Sequence, residues 1–513
     1  MRKFCKLQEF NELAFDPNPI GFPMRLTLFV LLILPIFNAV AGSNDDTWMS
    51  VLLDGRKIGA MHTTRKVQGD HVITSQTMDV QLDRAGTKIA LATSETDTET
   101  RDGKPLAFES RTTISGTTNV LRGTLRADGR FDVETQVGGA KQSHIVAWPQ
   151  GALLAEGLRL ANLRTGLDAG THDRELAFQP ESLDAVEIES TIGAIELVEL
   201  PDGKYKLTKI EQVIHFPGAQ TSTVAWVDAD LTVQKMAMPL MGYDLTMLAC
   251  SKTCAQAPNQ SSDILTHAMM PAPSAMSAAE LQGGVVLKLS ATREGAALKL
   301  ADTDEQQATT TAQGVELRIT PLDIHAQPGR EDKPTAADSQ PNDWLQSGAP
   351  EIMGLARRAV GKATRPHEQM QNLEQFVRSY IRTKDLNVGY ASALEVAKNP
   401  EGDCTEHAVL LAALGRALGI PTRVVDGLAY TDHYAGAEHV FVPHAWAQAF
   451  VDGHWQSFDA ALHGFDAGHI ALSVGDGDPW RFFAGFDTLG RIRVDAVEPL
   501  SASAAESLPK DSR

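Results

Sequence analysis

The sequence predicts two folded parts: an N-terminal antiparallel β domain and a C-terminal α+β domain. Three observations carry this expectation. Alternating apolar and polar residues broken by Asp-Gly pairs fill the first half. Helical apolar stripes followed by strand-like runs fill the last third. A stretch rich in Ala, Pro, Ser and Met separates them. At 513 residues the chain is also too long for one ordinary core. The expected division is a leader and signal peptide over 1–41, the β domain over 42–254 and a linker with a few strands over 255–345. The α+β domain then covers 346–500, and a disordered tail covers 501–513.

The leader comes first. Arg25 is followed by an apolar run from Leu26 to Phe37, interrupted only by Thr27 and Pro35, and Ala39-Val40-Ala41 forms a small-residue cleavage site. This pattern predicts export to the periplasm. The alternative is retention at the inner membrane by residues 24–41, although the run is shorter than the ~20 residues that span a bilayer comfortably. Residues 1–23 contain Glu9 and Asp16 and make an unusually long leader, which a true start at Met24 explains. No lipidation cysteine follows the apolar run.

The β domain reads from Trp48 to about Pro239. Asp54-Gly55, Asp102-Gly103, Asp128-Gly129 and Asp202-Gly203 recur as hairpin signals. Met78, Val80 and Leu82 alternate with Thr77, Asp79 and Gln81, as in a half-buried strand. Only the stretch from Gly151 to Ala161 looks helical. The sum is a curved sheet or half-barrel, either an ordinary structural module or a surface that docks a substrate or an envelope partner.

Farther on, the runs from Val285 to Leu289 and from Val315 to Ile319 suggest strands. Three helices follow. Ile352, Leu355, Ala356, Ala359 and Val360 have helical spacing; Met370, Leu373, Phe376, Val377, Tyr380 and Ile381 form one stripe; Ala408 to Leu418 is apolar all round and ends at Gly419 and Pro421. Strands are expected at 423–430, 444–451 and 454–458, the last two joined by Asp452-Gly453.

Composition narrows the partners. The 46 basic and 65 acidic residues leave a formal charge of −19, which excludes a nucleic-acid surface. Of four cysteines, Cys5 leaves with the leader. Cys250 and Cys254 read as a short disulfide in an oxidising compartment, with a metal pair as the alternative. Cys404 is then the odd thiol of an exported protein, a sign of reactivity.

Cys404 sits in Glu401-Gly402-Asp403-Cys404-Thr405-Glu406-His407-Ala408, where a loop becomes the buried helix. A helix start lowers a thiol's pKa, and its N–H groups can bind the oxyanion of a tetrahedral intermediate. Gly402 is expected to permit close substrate approach. If Asp452-Gly453 forms a tight turn, Val451 faces His454, Phe450 faces Trp455, and Trp446 faces Asp459. His444 and Asp459 then become diagonal neighbours on one face, with Cα atoms ~7–8 Å apart. Asp459 would fix the His444 tautomer, leaving the other ring nitrogen to exchange the thiol proton. Glu406 reads as a cap for the helix and His407 as a packed residue. The histidines His433, His439, His454, His463 and His469 lack tight ligand spacing and read as solvated loop residues.

Together, Gly-Asp-Cys-x-Glu-His-Ala, the apolar helix, Leu-Gly-Ile-Pro-Thr-Arg, His-Ala-Trp and Trp-x-x-x-Asp resemble the transglutaminase-like (papain-related) superfamily, in its bacterial exported form. The likeness covers about residues 349–462. It implies a cysteine-enzyme fold with Cys404 as nucleophile, His444 as base and Asp459 as orienting acid, and a structural Arg423. The upstream aromatic that covers the active site in animal members has no clear counterpart, Tyr390 being the candidate, and no acidic calcium loop stands out. The expected function is acyl transfer from an amide or peptide bond through a thioester: an amidase, protease or deamidase ahead of a crosslinking enzyme. The expected partner is a protein or peptide substrate, with no cofactor and no metal. The alternative is a non-catalytic envelope binding or assembly protein on the same fold.

Overall fold

The computed structural model describes residues 44–500, except 85–86, 115–116, 217–218, 241, 265–267, 293–297, 299, 322–330, 384–389 and 479–488. The signal segment, the leader and the tail lie outside the described residues. No described helix is long and apolar enough to cross a membrane.

The N-terminal part is one sheet of fifteen strands. It starts with Asn44–Leu53, which pairs on one side with Arg56–Gln68 and on the other with Tyr243–Ala249. The chain meanders outward from the first strand and later returns inward, so the beginning of the domain lies mid-sheet. Among the described residues every pairing in this sheet is antiparallel except the short one between Ala152–Leu153 and His172–Gln179. The Asp-Gly pairs fall at hairpin ends, with Asp54 and Gly55 both at positive φ, the conformation a twist-matched two-residue turn needs. Met78, Val80 and Leu82 are buried, as their alternation predicts. The sheet curls until its two ends share an aromatic cluster. Trp148, after the strand at one end, stacks on Phe178 near the other at 4.2 Å and lies 4.7 Å from Phe131.

The expected helix is Ala155–Thr165, four residues later than the sequence suggests. Its start is fixed by Glu99, which accepts the N–H groups of Glu156 and Gly157. Cys250 and Cys254 form the expected disulfide.

The segment from 285 to 319 is more than a linker with strands. Val285–Ala291 pairs with both Gly314–Ile319 and the distant strand Ile492–Pro499, making a small four-stranded sheet that ties the middle of the chain to its end. In the C-terminal part the helices Pro350–Val360, Pro366–Tyr380 and Cys404–Ala417 pack together, and the last lies against the strand Ala437–Val451. The sheet there places Thr422–Tyr434 between Ala437–Val451 and His469–Gly475, with His454–Phe458 on the outer side of the former. The strands at 422–434 and 437–451 extend past the expected ends. They meet in a second tight turn at Ala435 and Gly436, both at positive φ.

Candidate active site

Cys404 is the first residue of its helix and is 5% exposed. Asp403 caps that helix: its side chain accepts the Thr405 and Glu406 N–H groups, and Glu406 reaches back to the Asp403 N–H at 2.9 Å. The same glutamate accepts the Ala391 N–H at 3.0 Å. Two consequences differ from the sequence expectation. The helix start does not offer all its N–H groups to a substrate, because Asp403 occupies two. Gly402 does not hold open an approach path either, because the Glu406 side chain fills the space above it.

That packing makes a strong demand on Gly402. Its φ is +145°, and a Cβ there would come within 2.4–2.6 Å of Glu406 side-chain atoms. Gly402→Ala is therefore expected to push Glu406 out of the cap and strand the buried N–H groups of Asp403 and Ala391. At about 1–3 kcal/mol for each unsatisfied donor, a thermal melt should show a loss of roughly 2–6 kcal/mol. An unchanged melting curve would refute this role for Gly402.

The hairpin has the expected register. Val451 faces His454, Phe450 faces Trp455, and the ladder runs to Ala447 opposite Phe458, one step before Asp459. Asp452 and Gly453 both have positive φ, which fixes the tight turn and hence the pairing. His444 and Asp459 are accordingly brought together: the Nε2–H of His444 donates to Asp459 Oδ2 at 2.8 Å, with His444 8% and Asp459 1% exposed. Nδ1 takes no part in that bond. Trp446, two residues on, lays its ring 6.2 Å from that of His444 and donates Nε1–H to Ser457.

Asp459 is held on every side. Oδ1 accepts the N–H groups of Ala461 and Leu462, its own N–H donates to Glu374, and its carbonyl accepts from Arg378. Burial alone would raise its carboxyl pKa, but the charge and hydrogen bond of His444, with those of His469, hold it far below the ordinary carboxylate range. Glu374 and Glu305 nearby are pushed up to about 7, chiefly by burial.

Sequence reasoning missed His469. It is not a solvated loop residue: it opens the strand His469–Gly475, is 2% exposed, and its Nε2 lies 3.1 Å from the same Asp459 Oδ2. The reason is topological. His444 faces Gly427 and His469 faces Ala429, on opposite sides of one central strand. Cross-strand partners share a face, so the two imidazoles converge, with ring centroids 5.6 Å apart, while the Trp446 ring and the Ile470 carbonyl fill the space beside Gly427. The alternation from His469 to Val474 was the available signal. His454 is likewise buried, on the strand beside the turn, whereas His433 and His463 are exposed.

Tyr390 does not supply an oxyanion donor in this arrangement. It is buried, it packs edge-on against Trp344, and its hydroxyl donates to the Gly477 carbonyl at 2.7 Å. Arg423 has the structural part expected of it, bonding Gln448 and Glu331 and lying 3.8 Å over the Trp455 ring. Among the described residues, two groups have ligand-type atoms within 4.8 Å of one another. In the first, His444, Asp459 and His469, the hydrogen bonds just described account for the closeness. In the second, Glu187, Glu189 and His215, Arg174 pairs with both glutamates.

Residues 353–460 match the family model of the transglutaminase-like superfamily. No curated protein matches the chain. Among solved structures, a protein from Cytophaga hutchinsonii provisionally assigned as a cysteine protease is similar over 43% of this chain and 84% of its own, at 16% identity and a TM-score of 0.26. A β-barrel-like protein of unknown function from Brucella abortus is similar over 40% of this chain and 96% of its own, at 12% identity and a TM-score of 0.32. A protein from Parabacteroides distasonis provisionally assigned as a protease covers 80% of this chain and 70% of its own, at 12% identity and a TM-score of 0.20. TM-scores this low leave the family match as the comparison that bears on the site.

Proposed function

We propose that the transglutaminase-like domain at residues 353–460 makes this chain an exported, cysteine-dependent acyl-transfer enzyme that opens an amide or peptide bond through a thioester. The observation that carries the reading is the buried 2.8 Å contact between His444 Nε2 and Asp459 Oδ2, beside the helix that Cys404 begins. With Nε2 committed to Asp459, Nδ1 is the atom that takes the thiol proton. The thiolate sulfur attacks the carbonyl carbon, the C–N bond breaks, and His444 returns the proton to the leaving amine. Water, deprotonated by the same nitrogen, then releases the acid and regenerates the thiol. Release by water needs no second binding site, so hydrolysis is favoured over crosslinking. The disulfide between Cys250 and Cys254 supports an oxidising compartment, in keeping with the signal pattern at residues 24–41.

Alkylation of Cys404 tests this reading without a known substrate. Iodoacetamide should label the thiol rapidly at neutral pH. His444→Ala should slow labelling near pH 6 by on the order of 100-fold, the fall in thiolate fraction if the thiol returns to an ordinary pKa of about 8.5. Labelling no faster than that of a free thiol, with no response to His444→Ala, would favour a non-catalytic binding protein on this fold.

A further inference from the structure

We propose that His469 is a positioning residue, held as an imidazolium between Asp459 and Asp466, so that Asp459 meets His444 as half of a neutralised pair and not as a lone anion. The inference rests on the Cys404, His444 and Asp459 reading and adds a residue to it.

The balance of donors and acceptors around the ring favours the charge. His469 Nε2 lies 3.1 Å from Asp459 Oδ2. Its Nδ1 lies 3.0 Å from Asp466 Oδ1, 3.1 Å from the Asp466 carbonyl oxygen and 3.3 Å from the Asp466 backbone nitrogen. Ionised carboxylates and carbonyls only accept, so Nε2 brings a proton to Asp459. At Nδ1 two acceptors lie nearer than the one donor, the Asp466 N–H, and a bare lone pair would face both, so Nδ1 is protonated as well. A ring with two N–H groups is a cation. Burial alone would strip that proton, but the bonds to Asp459 and Asp466 outweigh burial and raise the pKa to about 10. Asp459 then receives four donors on its two oxygens, from Ala461, Leu462, His444 and His469, which fills its acceptor sites.

The consequence for chemistry is a sign and a size. A fixed positive ring centred 5.6 Å from the His444 ring opposes a second positive charge there. Beside a lone buried carboxylate, His444 would hold its proton too firmly to give it up to a leaving amine. Beside the Asp459–His469 pair it is still oriented by the 2.8 Å bond, but its imidazolium is less stabilised. Other groups face this cluster. Glu374 and Arg378 come from the helix Pro366–Tyr380, and Glu305 comes from the segment before the strand Gln306–Thr311. Trp446 and Phe465 are its uncharged neighbours. Glu305 and Glu374 themselves titrate near 7, so only a difference between variants that all retain both can report on His469.

The test is the rate of iodoacetamide alkylation against pH for the full chain. It compares the unaltered protein with His469→Gln, which can still donate one hydrogen bond but carries no charge, and with Asp466→Asn. The upper inflection marks loss of the His444 proton. His469→Gln should move it upward by about one to two pH units, whereas Asp466→Asn, which deletes an anion and leaves His469 its bond to Asp459, should not move it upward. A purely structural role would slow alkylation at all pH values with the inflection unmoved, and that result overturns the proposal. If His469→Gln does not fold, the protonation state of His469 in the unaltered protein decides. Nitrogen-15 histidine spectra of the unaltered protein give an independent reading: a doubly protonated His469 ring near pH 8 is expected, and a neutral ring there refutes the proposal. Slow alkylation of the unaltered protein would instead count against Cys404 as nucleophile, while the spectra still decide the state of His469.

Discussion

Cys404→Ser is expected to abolish acyl-enzyme formation with an activated acyl donor such as p-nitrophenyl acetate, lowering the burst rate by on the order of 10⁴–10⁶-fold. The size follows from what the exchange removes. A serine hydroxyl at a helix start stays protonated, whereas a thiol there ionises and is the stronger nucleophile. The cap made by Asp403 and Glu406 uses backbone and carboxylate groups and does not require the sulfur atom, so the helix should still form. Stopped-flow release of p-nitrophenol checks the rate, and circular dichroism checks the fold. A burst of equal size in the serine variant would mean that another residue takes the acyl group.

Asp459→Ala should be the most damaging change outside the thiol, because it acts on both stability and chemistry. The variant leaves His469 buried with one of its two carboxylate partners gone, and removes the acceptor that orients His444. Breaking a buried ion pair by removing one partner costs about 3–5 kcal/mol. The orphaned Ala461 and Leu462 N–H groups add to that cost. Loss of the orienting carboxylate should lower turnover by on the order of 10⁴-fold, as in the hydrolase triads where this was measured. Asp459→Asn separates the two effects. An amide can accept from the backbone and retain much of the stability, but it cannot satisfy two imidazole donors on one oxygen as a carboxylate does. Denaturant melts of the two variants, set beside their burst rates, resolve stability from chemistry.

Local features of the site were legible in the sequence. The turn at Asp452-Gly453 determines pairing by counting, so the approach of His444 to Asp459 could be read without knowing what surrounds them. The helix start at Cys404 was legible from Gly-Asp before it and Gly-x-Pro after it, and the capping by Glu406 from its spacing to Asp403. The same held in the β domain, where Asp-Gly turns and alternation outline a sheet whose described strands run from residue 44 to 249.

Contacts between distant segments were not legible. His469 reaches Asp459 because its strand returns along the far side of Thr422–Tyr434, and no local turn specifies that register. The pairing of Val285–Ala291 with Ile492–Pro499 spans about two hundred residues and has no local signal either. The filling of the space above Gly402 by Glu406 depends on a side-chain position. In each case the missing information was which strand or side chain meets which, a property of tertiary packing that periodicity does not encode.

Intact-protein and peptide mass spectrometry after brief exposure to p-nitrophenyl acetate at neutral pH tests the central claim most directly. The expected result is one acyl group, located on Cys404, absent from Cys404→Ser and formed much more slowly by His444→Ala. An unmodified Cys404 in the folded, unaltered protein, or acylation that proceeds equally well without His444, would contradict the account.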